Sequence, residues 1–187
     1  YNQLLRSKIN PHFLFNTLNN INSLLEFNKD KARQSIIGLG DLMAYMVYEA
    51  DVEYVPLDKE IKYIRDFIDL QSLRLEKDDF VEFNVEGDPS NLMIASMILI
   101  PFVENAFKYC DKSICPGITI RINIEDSKLE FYSANRVSTE INGNNNSSGF
   151  GMDNVKKRLD QLYGQKHELS LNTDGNNYQV HLKIDLS

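Results

Sequence analysis

The sequence predicts an α+β fold in which an N-terminal helical hairpin is followed by a two-layer α/β sandwich. Apolar residues recur at helical spacing through about the first 75 residues, which indicates consecutive helices. From residue 80 onward, segments of alternating polarity are interleaved with two helical segments, a pattern typical of a mixed sheet with helices on one face. The boundary is expected near residues 76–79, which divides the chain into residues 1–77 and 78–187.

Composition and charge limit the classes of function. The 187 residues are 42% hydrophobic and 25% charged, as in ordinary globular proteins. The net charge of −7 argues against nonspecific nucleic-acid binding, although it leaves room for a local basic pocket for phosphate. The longest apolar run, residues 92–103, is shorter than the roughly 20 residues that a membrane span needs. Cys110 and Cys115 are expected to be free thiols rather than a disulfide or half a metal site.

The first helical segment, residues 1–27, carries His12 directly after Pro11. This proline either begins the helix that bears the histidine or kinks a longer helix. The helical face of His12 is predicted to carry the polar residues Asn16, Asn19 and Ser23. An apolar stripe with heptad-like spacing comprises Leu14, Leu18, Ile21 and Leu25. A lone histidine on a helix is more often structural than functional, so spacing alone assigns it no role.

A second helix is predicted over residues 31–49, after a turn at residues 28–30. Its apolar face is expected to contain Ile36, Leu39, Met43, Met46 and Ala50. Because a hairpin cannot bury two long apolar stripes by itself, dimerisation into a four-helix bundle is favoured. The alternative is that the second half of the same chain covers them.

The remaining elements follow in order. A third helix is predicted to begin near residues 55–60 with Pro56 or Asp58 as its cap, and its buried side comprises Leu57, Ile61, Ile64, Ile68 and Leu75. Strands are predicted over residues 80–85, 118–125, 129–132, 168–172 and 178–186. Helices are predicted over residues 95–109 and 152–163, the second one ended by Gly164. Residues 138–148 form a loop rich in Asn, Ser and Gly.

Two further stretches carry residues suited to nucleotide chemistry. Glu104, Asn105 and Lys108 lie together near a helix end, where oxygen ligands suit Mg²⁺ and a lysine can meet phosphate. The alternative is an ordinary amphipathic helix end. Gly149 and Gly151 open a helix after the polar loop, where unpaired N–H groups can bind an anion. A Gly-x-Gly pattern alone is weak evidence, and glycine punctuation of a loop is the alternative.

Four motifs in this order resemble the LytS/YehU-type sensor histidine kinases, and the resemblance extends over essentially the whole chain. The four motifs are a phosphoacceptor motif at Asn10–Asn16, a third-helix signature at Tyr63–Gln71 with Arg74, an N box at Pro101–Lys108, and a glycine box at Gly149–Val155 with Arg158, Leu159, Leu162 and Tyr163. Each motif alone is suggestive, whereas all four at family-like separations are highly specific.

The resemblance implies a dimerisation and phosphoacceptor hairpin followed by an ATP-binding domain of the gyrase, chaperone, histidine kinase and MutL (GHKL) superfamily. His12 is then the phosphoacceptor, and Asn16 orients a water that removes phosphate from the regulator. The implied ligands of ATP and Mg²⁺ are Asn105 for the metal, Glu104 and Lys108 in support, and Asn135, Gly149, Gly151 and Asn154 around the nucleotide.

The resemblance also implies an ATP-dependent protein-histidine kinase and its partners. The expected partners are a second copy of the chain and a response regulator, in this family often one with a LytTR DNA-binding domain. No direct nucleic-acid contact is expected. The chain is expected to be the cytoplasmic portion of an inner-membrane-anchored sensor, reaching the membrane only through an upstream segment.

Two positions depart from the kinase pattern. Phe13 stands where orthodox histidine kinases have an acidic residue, so no general base is assigned. Ala134 stands where a carboxylate is expected to accept the adenine amino group, with Asn135 matching the following Asn, and losing that hydrogen bond costs about 1.5–3 kcal/mol of affinity. The alternative function is therefore an inactive dimeric scaffold or regulator-binding module. A free-standing ATPase is disfavoured because His12 would then have no role.

Overall fold

The computed structural model describes residues 11–49, 52–75, 78–137 and 149–187 of the chain. The helix predicted over residues 1–10, and with it the question of whether Pro11 kinks a longer helix, lies outside these residues, as do Ala50 and the polar loop at 138–148. In the described ranges, no helix is both long and apolar enough to cross a membrane.

The N-terminal part is the predicted pair of helices, α1 (Pro11–Phe27) and α2 (Lys29–Tyr48). Asn28 alone separates them, so the connection is shorter than the predicted three-residue turn. The Asn28 side-chain oxygen accepts a hydrogen bond from the Lys31 N–H at 2.9 Å, which satisfies one of the unpaired donors at the start of α2.

The predicted apolar stripes of the hairpin are only partly covered by the chain itself. In α1, Thr17 and Ile21 are buried, whereas Leu18 and Leu25 are exposed. In α2, Leu39 and Met46 of the predicted stripe are buried, Met43 is half-buried, and Ile36 is 53% exposed. The buried side of each helix therefore only partly coincides with the predicted stripe, and the hairpin keeps apolar surface that the described residues do not cover.

The third helix, α3 (Leu57–Ser72), begins after Pro56, whose side chain makes no capping hydrogen bond. Asp58 lies in the first turn, where an acidic side chain interacts favourably with the helix dipole. The predicted buried side is confirmed, because Leu57, Ile61, Ile64 and Ile68 are all buried. Leu75 lies beyond the end of the helix and is partly buried.

The helix predicted over residues 95–109 is shorter than expected. It begins at Ile100 as α4 (Ile100–Tyr109), with Pro101 in its first turn, where a missing N–H costs nothing. Ala95 belongs instead to a short strand, β3 (Met93–Ala95), which pairs antiparallel with β1 (Tyr54–Pro56). These three-residue strands are too short to show a period of two, so the sequence pattern did not reveal them.

The C-terminal part is a mixed sheet with helices on one face. Its strand order is β2-β4-β5-β7-β6, with β2 and β4 parallel and the other neighbours antiparallel. The strands are β2 (Val81–Glu86), β4 (Ile118–Glu125), β5 (Lys128–Arg136), β6 (His167–Asp174) and β7 (Asn177–Asp185). The last helix, α5 (Gly149–Tyr163), is followed by Gly164 at a φ of +53°, which confirms the predicted glycine end.

The alternation of side chains along the strands separates the two faces of the sheet. Phe131 of β5 packs on Phe102 of α4, with ring centroids 5.8 Å apart, on the helix-covered face. Tyr132, the next residue, points to the opposite face and contacts His181 of β7 at 4.6 Å between ring centroids. The α+β class with a two-layer sandwich is therefore confirmed.

A buried carboxylate connects the hairpin to the segment that leads into α4. Glu60 of α3 is fully buried and accepts hydrogen bonds from the Tyr45 hydroxyl at 2.5 Å, the Met97 N–H at 3.0 Å and the Leu99 N–H at 3.2 Å. Burial raises the pKa of Glu60, and the three donors offset part of that effect. The three bonds join α2, α3 and residues 97–99 at one point.

Candidate active site

A cleft of about 500 Å³ contains residues from all three N-terminal helices and from α4. It brings His12 of α1 together with Glu104, Asn105 and Lys108 of α4. We call it the His12 cleft. Four of the residues singled out in the sequence therefore lie around one space, although they come from motifs about 90 positions apart.

Three aromatic rings join the helices around the His12 cleft. Phe13 of α1 stacks on Phe67 of α3 with ring centroids 5.3 Å apart, and Phe67 packs edge-on against Phe107 of α4 at 5.8 Å. Such ring pairs contribute about 0.5–1.5 kcal/mol each beyond their burial. Phe13, at the position where orthodox kinases carry an acidic residue, thus packs His12's helix against α3.

Asn16 contacts the imidazole of His12 directly. Its Nδ2 lies 3.1 Å from both ring nitrogens of His12, one helical turn away. A side chain at this distance restricts the rotation of the imidazole ring. The sequence suggested a role for Asn16 in positioning water, whereas the structure adds a contact with the histidine itself.

The described lining of the His12 cleft is predominantly positive. It contains Arg74, Lys108 and Lys112 and a single carboxylate, Glu104. Glu104 keeps part of its surface exposed, but desolvation by its surroundings still raises its pKa. In a chain with a net charge of −7, such a local excess of cations favours an anionic ligand.

The donor set of α4 fits Mg²⁺. The amide oxygen of Asn105 and the carboxylate of Glu104 are hard oxygen ligands, and both line the His12 cleft. Within the ranges described, no group of three or more His, Cys, Asp or Glu side chains could hold a metal by itself. This agrees with Mg²⁺ chemistry, because that ion is commonly held by one or two side chains together with phosphates and water.

The end of β5 places Ala134 and Asn135 on opposite faces of the sheet. The pleat places Asn135 on the face that carries Phe131 and the helices, and only 4% of Asn135 is exposed, whereas Ala134 lies on the opposite face. Among described residues, Nδ2 of Asn135 has no hydrogen-bond partner. The polar group available between sheet and helices is therefore the Asn135 amide, which can donate to and accept from an adenine edge.

The glycine box is described only in part. Gly149 and Gly151 lie in the first turn of α5, and Asn154 is exposed on the same helix. The preceding loop lies outside the described residues. Asn135 and Asn154 are not among the described residues that line the His12 cleft, and α5, the helix that carries Asn154, packs against α4.

Sequence reasoning gave no role to several residues of the His12 cleft. Gln71, Arg74, Tyr63 and Lys112 also line it. The third-helix signature already contained Tyr63, Gln71 and Arg74, although it assigned them no role, whereas Lys112 lies outside all four motifs.

Comparisons with known proteins show which family the chain resembles. A sequence profile described as "Histidine kinase" matches residues 2–79. The sensor histidine kinase YpdA of Escherichia coli K12 is 33% identical over 179 residues, which cover 86% of this chain. The sensor histidine kinase/phosphatase LytS of Staphylococcus aureus MRSA252 is 25% identical over 182 residues, or 88% of this chain. The N-terminal part of the chain thus matches the histidine kinase family, and nearly the whole chain is similar to LytS-type sensor histidine kinases.

The chain spans about a third of the length of these relatives, 30% of YpdA and 31% of LytS. A solved structure supports the fold. The histidine kinase domain of the blue-light-activated kinase EL346 from Erythrobacter litoralis aligns over 98% of this chain and 92% of that domain, with a TM-score of 0.50 and 14% identity.

Proposed function

We propose that this chain is the kinase portion of an ATP-dependent protein-histidine kinase. It binds Mg-ATP, phosphorylates its own His12, and passes the phosphoryl group to an aspartate of a response regulator. The observation that carries this proposal is the His12 cleft, in which the phosphoacceptor candidate and three N-box side chains of the same chain lie together.

The residues of the His12 cleft suit this reaction. A lone pair on a ring nitrogen of His12 forms the bond to the γ-phosphorus, and the bond from phosphorus to the bridging oxygen breaks toward ADP. The proton on the other ring nitrogen is then lost to water. Asn16 orients the ring, and Lys108 neutralises phosphate charge, because phosphoryl transfer depends mainly on positioning and electrostatics. Mg²⁺, held by Asn105 with Glu104 in support, supplies further charge neutralisation when bound.

Asn135 and the glycine box complete the proposed nucleotide site. The buried Asn135 amide takes the place of the expected carboxylate at the adenine, and its unpaired Nδ2 is the feature that favours this role. Gly149 and Gly151, together with Asn154, contact the phosphates from the start of α5, where unpaired N–H groups attract anions.

A second copy of the chain completes the hairpin. Leu18 and Leu25 of α1 and Ile36 of α2 are 46%, 44% and 53% exposed, and they belong to the stripes with heptad-like spacing. Pairing of two hairpins into a four-helix bundle covers them. A regulator with a LytTR domain and a cytoplasmic position below a membrane-anchored sensor remain predictions.

Dephosphorylation of the regulator is part of the proposal. The LytS relative is named as a kinase and a phosphatase, and Asn16 stands one turn from His12 on an exposed part of α1. An amide at this place can orient the water that attacks the regulator's phosphoaspartate. In this role Asn16 acts only when His12 is unphosphorylated.

The first test is thermal unfolding with and without Mg-ATP, on the wild type and on Asn105→Ala. A ligand at 100 times its dissociation constant stabilises by about 2.7 kcal/mol, so the wild-type midpoint should rise and that of Asn105→Ala should not. Asn123→Ala, an exposed change on β4, serves as the control and should respond like the wild type. No shift in the wild type at millimolar Mg-ATP would favour the alternative function, an inactive dimeric scaffold. The main support for that alternative was Ala134, which lies on the face of the sheet away from the helices.

The acceptor is tested by phosphate labelling. His12→Gln should bind Mg-ATP like the wild type but take up no acid-labile phosphate. Labelling that survives this change would rule out His12 as the acceptor.

Because His12 and Asn105 of one chain line the same cleft, transfer within one chain is expected. A mixed dimer of His12→Gln and Asn105→Ala chains separates the two routes. Transfer within a chain predicts no label, since no chain has both groups, whereas transfer between chains labels the Asn105→Ala chain. Mixing each variant with wild type confirms that mixed dimers form.

A further inference from the structure

The third-helix signature has residues that the proposed reaction does not yet use. Phe67, Gln71 and Arg74 follow one another by four and three positions, and all three line the His12 cleft. Phe67 packs between Phe13, the neighbour of His12, and Phe107 of the N box. The C-terminal part of α3 therefore lies beside both the helix of His12 and the N box.

The two arginines of this signature differ in their surroundings. The Arg65 guanidinium lies 4.9 Å from the ring centroid of Phe83 and is engaged there. Arg74 lies in the turn after α3, where its backbone N–H donates to the Gln71 carbonyl at 3.2 Å. Its exposed side chain forms no ion pair with a carboxylate of the described ranges. Arg74 is thus a guanidinium available to a ligand of the His12 cleft.

An arginine at this place suits a phosphoryl group. The guanidinium is planar, always charged, and donates two parallel hydrogen bonds to the oxygens of a phosphate. Lys108 and Lys112 act as point charges in the same cleft, whereas only Arg74 offers this fork among the described lining residues. Arg74, in the turn after α3, also stands on a different segment from the N box, so it can contact the phosphoryl group from a second side.

We propose that Arg74 binds the oxygens of the γ-phosphoryl group as it moves from ATP to His12. This inference rests on the proposed function. As the nitrogen–phosphorus bond forms and the phosphorus–oxygen bond to ADP breaks, negative charge remains spread over the three oxygens that stay on phosphorus. Arg74 neutralises that charge and keeps those oxygens aligned with the His12 ring, while Lys108 serves the side of the leaving ADP.

The test compares Arg74→Gln with Arg74→Lys and with the control Arg65→Gln, which changes the other arginine of the signature. The measured quantities are Mg-ADP affinity and the initial rate of His12 labelling at saturating Mg-ATP. Arg74→Gln should bind Mg-ADP as the wild type does, yet label about 10²–10³-fold more slowly, the loss typical for one oriented donor. Arg74→Lys should fall between the two, and Arg65→Gln should label at the wild-type rate.

Chemical rescue separates this role from a structural one. Arg74→Ala should regain labelling when guanidinium ion is added at low, non-denaturing concentration, and His12→Gln should not. A wild-type labelling rate in Arg74→Gln would overturn the proposal, as would loss of Mg-ADP binding in parallel with the rate. If the wild type itself binds no Mg-ADP and takes up no phosphate, the proposed function fails and this inference fails with it.

Discussion

Removing one hydroxyl from the buried network around Glu60 tests how the hairpin is fastened to the rest of the chain. Tyr45→Phe deletes the donor that lies 2.5 Å from Glu60 Oε2, while the ring that packs on Tyr63 at 4.6 Å between centroids is kept. The change therefore isolates a hydrogen bond and leaves no cavity beyond the lost oxygen.

The expected cost follows from the partners that remain. A hydrogen bond contributes about 0.5–1.5 kcal/mol between neutral groups and about 1.5–3 kcal/mol to a charged group, and the raised pKa of Glu60 makes both ranges relevant. Glu60 is fully buried, and after the change it retains the N–H groups of Met97 and Leu99. Because Glu60 keeps these two donors, we expect Tyr45→Phe to lower the free energy of unfolding by about 0.5–3 kcal/mol.

Urea unfolding at pH 7 is the assay, with the midpoint expected to fall and the slope to stay unchanged. Tyr48→Phe is the matched control, because Tyr48 lies on the same helix with 76% of its surface exposed, and it should change stability by less than about 0.5 kcal/mol. A loss below about 0.5 kcal/mol in Tyr45→Phe would show that this bond does not fasten α2 to α3.

Four further changes test the site and the fold. Burial raises the folded-state pKa of Glu60 above the unfolded value of about 4.3. The free energy of unfolding of the wild type, relative to that of Glu60→Gln, should therefore fall as pH rises from about 4.3 through the folded-state pKa. A difference between the two proteins that does not change with pH would contradict this. Phe67→Ala should lower the free energy of unfolding by about 3–5 kcal/mol in urea and slow His12 labelling; an unchanged labelling rate would show that the ring contacts do not position the acceptor. Leu18→Glu should turn a dimer into a monomer in sedimentation, unless the exposed stripe is not the interface. Asn135→Ala should weaken Mg-ATP binding by about 1–3 kcal/mol in calorimetry, and equal affinity would remove Asn135 from the nucleotide site.

The sequence predicted the elements whose periodicity is long enough to be visible. The buried side of α3 and the glycine after α5 were found because apolar spacing and a left-handed glycine leave clear local signals. The start of α4 was misplaced by five residues, because the apolar run from Ala95 reads equally well as helix until the pairing of Ala95 with Tyr54 is known. That pairing joins residues about 40 positions apart, and no local pattern encodes it.

The candidate site was predictable as chemistry but not as geometry. His12, Asn105 and Lys108 could be named from motifs, whereas their common cleft depends on how α1 and α4 pack against α3. The question about Ala134 shows the same limit. A strand shifted by one residue exchanges its two faces, and only the pairing of β5 with its neighbours shows that Asn135 lies on the helix-covered side.

The arrangement makes α3 the link between the hairpin and the C-terminal sheet-and-helix part. Glu60 near its start holds Tyr45 of the hairpin and the N–H groups just before α4, and Phe67 near its end holds Phe13 and Phe107. Both contacts reach from the hairpin, across α3, to α4 or the residues that precede it. A displacement of the hairpin therefore moves His12 relative to the N box only if the Glu60 hydrogen bonds or the Phe67 ring contacts break or shift. Since packed aromatic contacts and buried hydrogen bonds change in discrete steps rather than gradually, the placement of His12 relative to the N box is tied to these two contacts.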